Sequence, residues 1–148
     1  MEEIKYQPLI IERVFNASVE RVWTAITNKD QIREWFFDIK EFKLEPGFEF
    51  SFIGGKGIVN YLILCKVTEV IKGRKFSYSW RYEGFRGDSQ VTFELFPESD
   101  GTRLKLTHEG IESFPMSKPG FLNGYFQPEW DEYINNNLLA LLNQTNHQ

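Results

Sequence analysis

Residues 76–80 read Phe-Ser-Tyr-Ser-Trp, and residues 48–52 read Phe-Glu-Phe-Ser-Phe. Both stretches alternate large aromatic residues with small or polar ones. Successive side chains of a β-strand point to opposite faces, so a period of two predicts an aromatic face toward a core and a polar face toward water. The two stretches therefore predict strands of an antiparallel sheet that is buried on one face only.

The same alternation extends outward in both directions, from Ile39 to Glu109. Gly- and Pro-containing sequences that favour hairpin turns interrupt it. They are Pro46-Gly47, Gly54-Gly55-Lys56-Gly57, Lys72-Gly73, Gly84 to Asp88 and Asp100-Gly101. This region therefore predicts six consecutive antiparallel strands, and the Ile- and Val-rich residues from Pro8 to Phe15 predict one strand before them.

Two short helices are predicted between the first strand and the six that follow. The first begins after Asn16-Ala17-Ser18, which supplies capping side chains, and the second covers Asp30 to Trp35. A longer helix is predicted near the C-terminus, with Pro128 in its first turn. Its apolar stripe consists of Trp130, Ile134, Asn137, Leu138 and Leu141.

Length and composition predict one domain spanning residues 1–148 with an unusually aromatic interior. A chain of 148 residues matches the common size of a single domain, and an aromatic share of 16%, including 14 Phe, is high. The net charge of −4 is scattered along the chain, which argues against a nucleic-acid partner. Cys65 is the only cysteine, so an intramolecular disulfide is excluded and a small buried side chain is expected.

The N-terminal residues lack the basic and apolar regions of a secretory signal, and no segment has the roughly 18 apolar residues of a membrane span. We therefore expect a soluble, cytoplasmic protein. His108 and His147 are the only histidines, which leaves too few ligands for a His-rich metal site. No metal, no cofactor and no catalytic residue is predicted.

Several stretches, taken in order, match one known superfamily. They are Phe15 to Trp23, Trp35-Phe36, Pro46 to Phe50, Val67 to Val70, Phe76 to Trp80, Leu106 to Gly110, and Trp130. The chain resembles the helix-grip superfamily of Bet v 1 and START-like domains, and within it the homologues of the activator of heat-shock protein 90 ATPase. The resemblance implies an α+β helix-grip fold, in which a curved seven-stranded antiparallel sheet wraps around a long C-terminal helix and two short helices follow strand one.

The resemblance also implies a cavity between the sheet and the last helix that takes apolar molecules, without implying one activity. Nine residues are predicted to line it: Trp35, Phe50, Tyr61, Tyr78, Trp80, Phe93, His108, Trp130 and Asn137. For the aromatic residues among them, plain core packing is the alternative. Asn137 requires a polar partner, which a ligand, a cavity water or a backbone group can supply.

His108 continues the inward register of Leu104 and Leu106. It could orient a ligand or transfer a proton, and the alternative is a structural histidine bonded to the loop after it. Glu69 shares the nominal register of Val67, so it is either a buried carboxylate or a solvated residue at a strand end.

The leading functional interpretation is the binding of a hydrophobic or aromatic small molecule in this cavity. One alternative is an interaction module that contacts a chaperone or another protein. The other is an enzyme of the polyketide cyclase or hydrolase type, in which His108, Tyr61 or Glu69 moves protons. A monomer and a homodimer are both compatible with the sequence.

Overall fold

The computed structural model describes residues 7–56, 59–115 and 126–144. The strands are β1 (Leu9–Phe15), β2 (Glu49–Lys56), β3 (Val59–Ile71), β4 (Lys75–Tyr82), β5 (Ser89–Glu98) and β6 (Gly101–Glu109). The helices are α1 (Val19–Thr27), α2 (Lys29–Trp35), α3 (Phe126–Asp131) and α4 (Leu139–Leu142), with a 3₁₀ turn at Ile111–Ser113. A π-helical segment, Glu132–Leu138, joins α3 to α4, so that they form one C-terminal helix.

All strand pairs are antiparallel, and the order across the open sheet is β1-β6-β5-β4-β3-β2. The alternation predicted from the sequence assigns one face to the core. Phe76, Tyr78 and Trp80 of β4 are all at most 4% exposed, whereas Arg81 is exposed. The helices cover this inner face, with α1 contacting β5 and β6. The result is an α+β architecture with its core between one sheet face and the helices.

The predicted count of seven strands is wrong for the described residues, which form six. Residues 36–48 contain no strand. Ile39 is buried and the ring of Phe42 lies 5.1 Å from that of Phe50, so the alternating residues anchor the segment on its neighbours. Pairing with β3 begins only where the Gly47 N–H donates to the Val67 carbonyl at 2.7 Å. Alternating burial here reflects side-chain anchoring rather than a hydrogen-bonded ladder.

A β-bulge in β3 decides the position of Glu69. Val67 is paired with Tyr78, but Glu69 rather than Thr68 is paired with Ser77. The extra residue reverses the register, as bulges do, and puts Glu69 on the outer face. There the carboxylate lies 3.2 Å from Lys75 Nζ and is 47% exposed. The solvated alternative for Glu69 is confirmed, and the buried carboxylate is not.

Polar side chains tie the helices together at defined points. Ser18 Oγ accepts from the Arg21 N–H at 3.1 Å, which confirms a helix cap within the predicted Asn16-Ala17-Ser18 sequence. The Arg21 guanidinium donates to Gln31 Oε1 at 2.9 Å and to the Leu141 carbonyl at 3.2 Å. Arg21 therefore joins α1 to α2 and satisfies a carbonyl at the end of α4, where a positive charge is favourable.

No helix among residues 7–56, 59–115 and 126–144 has the length and apolar character that crossing a membrane requires.

Candidate functional site

The C-terminal helix and the inner sheet face enclose a cluster of rings that we call the aromatic slot. Its residues are Phe36, Phe37, Phe52, Trp80, Trp130 and Tyr133. Three parts of the chain supply them: the two residues that follow α2, strands β2 and β4, and the C-terminal helix. Face and edge contacts between such rings lie in the favourable range of 4.5–7 Å between centroids.

Phe36 occupies the centre of the aromatic slot. Its ring is stacked on Trp130 with 5.4 Å between centroids and an interplanar angle of 13°. Tyr133, Phe37 and Phe52 make edge contacts with it at 5.1, 4.7 and 5.5 Å. Phe36 comes from the first residue after α2 and is only partly buried, whereas Trp130 is 1% exposed. Phe36, Phe37 and Tyr133 are thus partly exposed, whereas Phe52, Trp80 and Trp130 are buried.

Behind the slot, a chain of hydrogen bonds crosses the core. Trp130 Nε1 donates to His108 Nδ1 at 3.0 Å. His108 Nε2 lies 2.8 Å from Ser89 Oγ, and Ser89 Oγ donates to the Trp80 carbonyl at 2.9 Å. His108 and Ser89 are 0% and 5% exposed. The chain connects β6, β5 and β4 to the C-terminal helix.

The direction of these bonds fixes the protonation of His108. An indole N–H can only donate, so Nδ1 must accept and the proton of a neutral imidazole must be on Nε2. Nε2 then donates to Ser89, whose own proton goes to the Trp80 carbonyl. Burial lowers the pKa of His108 from 6.5 to about 3, in agreement with this neutral form. His108 is therefore a structural group, though its partners are not those of the predicted loop.

Trp80 carries a buried donor that is not used. The three buried indoles are those of Trp35, Trp80 and Trp130. Trp35 Nε1 donates to the Ala25 carbonyl at 2.8 Å, and Trp130 Nε1 donates to His108. Trp80 Nε1 is buried and has no hydrogen-bond partner. An unsatisfied buried donor costs about 1–3 kcal/mol, so an acceptor placed at this N–H would offset that cost.

A cavity of about 20 Å³ lies next to the slot, between α2 and strands β2, β4 and β5. Its lining is Ile26, Ile32, Trp35, Phe36, Ile39, Phe42, Phe50, Phe76, Tyr78 and Phe93. This volume has room for about one water, whereas ligand pockets usually measure roughly 300–1,000 Å³. A ligand-sized cavity is thus not confirmed at this place, because the protein's own aromatic rings fill the space.

Tyr78 supplies the hydroxyl of this lining, and Cys65 lies on the neighbouring strand of the same face. Burial raises the pKa of Tyr78 well above 10, with a smaller contribution from Cys65. Burial also raises the pKa of the Cys65 thiol, which is 4% exposed. Both groups stay neutral near pH 7, as expected for a small buried cysteine and a tyrosine in an apolar wall.

Most of the nine predicted lining residues meet in one cluster. The pairs Trp35–Phe93, Phe93–Trp130, Trp80–Trp130, Trp80–His108 and Phe50–Tyr78 have centroid distances of 6.2, 6.1, 5.9, 5.3 and 5.3 Å. Tyr61 contacts Tyr82 at 5.5 Å and Phe85 at 5.4 Å, and it is linked to the cluster through the contact of Tyr82 with Trp80 at 6.5 Å. Asn137 Nδ2 contacts the Trp35 carbonyl at 3.4 Å, so its polar partner is a backbone group.

Sequence reasoning did not assign Phe36, Phe37, Phe52, Tyr133 or Ser89 to the site. A signal for four of them exists in the sequence, and for Phe52 it is the alternation of residues 48–52, which places its ring on the core face. Phe36 and Phe37 extend the run that begins with Trp35, and Tyr133 lies one helical turn after Trp130. Ser89 has no such signal, because it reaches His108 only through the pairing of β4, β5 and β6.

Acid–base groups do not gather within the described part of the chain in the way that the enzyme interpretation requires. His108 is held between two partners, Glu69 is on the outer face, and the ring of Tyr61 packs on Tyr82 and Phe85. No group of three His, Cys, Asp or Glu that could hold a metal ion exists among the described residues, and His147 lies outside them.

Comparison with known proteins adds a family and a set of similar folds. The sequence profile of the family described as "Activator of Hsp90 ATPase homolog 1-like protein" matches residues 16–143. No protein of curated function is significantly similar to the chain.

Among solved structures, protein MLL2253 from Mesorhizobium loti has a TM-score of 0.77 at 26% identity, over 95% of this chain and 99% of that one. CalU16 from Micromonospora echinospora has a TM-score of 0.68 at 26% identity, over 90% and 73%. DynU16, from the dynemicin biosynthetic locus, has a TM-score of 0.75 at 19% identity, over 95% of this chain and 48% of that one. The last of these supports the fold alone.

Proposed function

Because the chain belongs to the family of activator of Hsp90 ATPase homolog 1-like proteins, we propose that it binds a flat, mostly apolar small molecule between the inner sheet face and the C-terminal helix. The observation that carries this proposal is the position of Phe36. Its ring is stacked on Trp130 and partly exposed, so it occupies the place that a flat ligand ring would take.

Two features support exchange of Phe36 for a ligand. Phe36 starts the irregular residues 36–48, so its side chain can move without breaking a strand ladder. Three of the rings around it, Phe52, Trp80 and Trp130, belong to regular elements and are at most 4% exposed. A ligand that replaced Phe36 would meet a wall that is already formed, which limits the entropy lost on binding.

Shortening Phe36 is the test of this proposal. The variant Phe36→Leu should bind fluorene, a flat apolar probe, about threefold more tightly than the wild type, because less of the competing ring remains in the slot. Affinities are measured by quenching of tryptophan fluorescence in a fluorene titration.

The matched control is Phe15→Leu, which shortens a fully buried ring at the end of β1. This variant should bind fluorene as the wild type does. If neither the wild type nor Phe36→Leu binds fluorene saturably, the proposal is wrong. An equal gain in both variants would mean that any shortened core ring creates a site, and it would also reject a specific role for Phe36.

A second candidate function, contact with a chaperone or another protein, is favoured by the two edge strands. β1 exposes Ile10 and Val14 by 46% and 49%, and β2 exposes Ile53 by 59%. Apolar side chains on an unpaired strand edge suit the addition of a strand from another chain. The fluorene titration separates the candidates, because an interaction module has no reason to bind the probe saturably.

A further inference from the structure

We propose that Trp80 holds the ligand by donating its indole N–H to an uncharged oxygen atom. The ligand class is then a flat apolar molecule that carries a carbonyl or ether oxygen. This inference rests on the proposed function, because it names a contact within the same site. It goes beyond that function because it assigns the specificity among apolar molecules to one atom, Trp80 Nε1.

The buried hydrogen-bonding groups around the slot are paired with one another, and the N–H of Trp80 is the exception. Trp130 Nε1, His108 and Ser89 use their hydrogen-bonding atoms on one another and on the Trp80 carbonyl. The Tyr133 hydroxyl donates to Glu129 Oε1 at 3.2 Å. Trp80 Nε1 is the slot's buried donor without a partner. The missing partner must therefore be an acceptor.

The Trp80 ring also lies close to the place that a ligand would take. The Trp80 ring lies 6.3 Å from Phe36, 5.5 Å from Phe52 and 5.9 Å from Trp130, measured between centroids. A ligand ring in the place of Phe36 would thus be in ring contact with Trp80. A hydrogen bond to Trp80 then requires an oxygen atom on the edge of the ligand at about 3 Å from Nε1.

The slot contains no charged residue, which restricts the acceptor to a neutral oxygen. All six residues of the slot are uncharged, and Trp80 itself is only 4% exposed. Burying a carboxylate beside a single N–H would cost far more than that hydrogen bond returns. A ketone, ester or ether oxygen gains the bond without this desolvation, so these groups define the class.

The experiment compares fluorenone with fluorene, two probes of nearly equal shape that differ in one carbonyl group. The wild type should bind fluorenone about tenfold more tightly, because only the ketone satisfies the buried donor. Trp80→Phe keeps a ring but removes the N–H, so it should bind the two probes with equal affinity, and the ratio of the two affinities is the quantity to compare with the wild type.

Trp23→Phe is the matched control, since it removes the indole of α1, whose ring packs on Phe76, and it should retain the preference for the ketone. Trp80→Phe breaks no hydrogen bond of the indole and should fold, which a thermal melt checks.

The comparison of the two probes on the wild type tests the inference even if Trp80→Phe does not fold. If the wild type binds both probes equally, a water satisfies Trp80 and the inference is overturned while the proposed function stands. If neither probe binds, both are overturned. A ketone preference that survives in Trp80→Phe overturns the inference alone.

Discussion

His108 is neutral because its burial and the hydrogen bond that Nδ1 accepts from Trp130 both disfavour a second proton. A second proton would have to be placed on Nδ1, which already accepts from Trp130, and the charge would lie in a fully buried site. The unfolded chain has no such restriction, so there the residue titrates near 6.5. Below that pH the unfolded state binds more protons than the folded state, and stability falls as the pH falls.

Acidification therefore tests the role of His108. Between pH 7.5 and pH 5 the wild type should lose about 2 kcal/mol of unfolding free energy, because the folded pKa of about 3 is not reached. His108→Gln keeps one acceptor for Trp130 and one donor for Ser89 but does not titrate, so its stability should stay level over this window. Urea unfolding at several pH values measures both. Parallel curves for the two proteins would contradict the account.

The inward direction of His108 was predictable, and its bonding was not. The alternation of β6 places it with Leu104 and Leu106, and the structure confirms that all three are buried. Its partners come from residues 89 and 130, which are 19 and 22 positions away along the chain. Sequence periodicity carries information on faces, not on which side chains of other elements meet there.

At the scale of elements, Arg21 is the clearest link between the helices. It donates to Gln31 in α2 and to the last turn of the C-terminal helix. Arg33 and Asp30 form an ion pair at 3.0 Å within α2, and their side chains are 50% and 72% exposed. Partly buried bonds that cross elements contribute more than an exposed pair within one helix.

Replacing each arginine by methionine separates these cases. Arg21→Met should lower the unfolding free energy by about 1–2 kcal/mol, since two hydrogen bonds and a favourable charge at a helix end are lost. Arg33→Met should lower it by no more than about 0.5 kcal/mol. Chemical denaturation provides the comparison, and equal effects of the two substitutions would show that Arg21 does not join the helices.

The elements themselves were predictable where one rule applies along the whole segment. The aromatic alternation at residues 76–80 corresponds to β4, and six strands form the sheet. The exceptions are residues 36–48, where burial alternates without pairing, and the bulge that moves Glu69 outward. The π-helical segment Glu132–Leu138 is a third exception. Each of these exceptions depends on packing against another element, and the local sequence pattern carries no information about such packing.

At the scale of the whole molecule, the aromatic composition indicates a large apolar interior, which the structure has. Composition does not reveal whether that interior is open or filled. Here Phe36 and its neighbours fill the space beside the C-terminal helix, and the adjoining cavity measures only about 20 Å³. Under the proposed function, a ligand ring therefore enters this space only if the partly exposed ring of Phe36 moves.

The most direct test of ligand binding in the aromatic slot is a two-dimensional proton–nitrogen NMR titration of the four tryptophan indoles with fluorenone. Signals are assigned with single Trp→Phe variants. We expect the indole signals of Trp80 and Trp130 to shift saturably, with the larger shift at Trp80. The indole signal of Trp23 should not move. Unchanged spectra, or a largest shift at Trp23, would contradict binding between the sheet and the C-terminal helix.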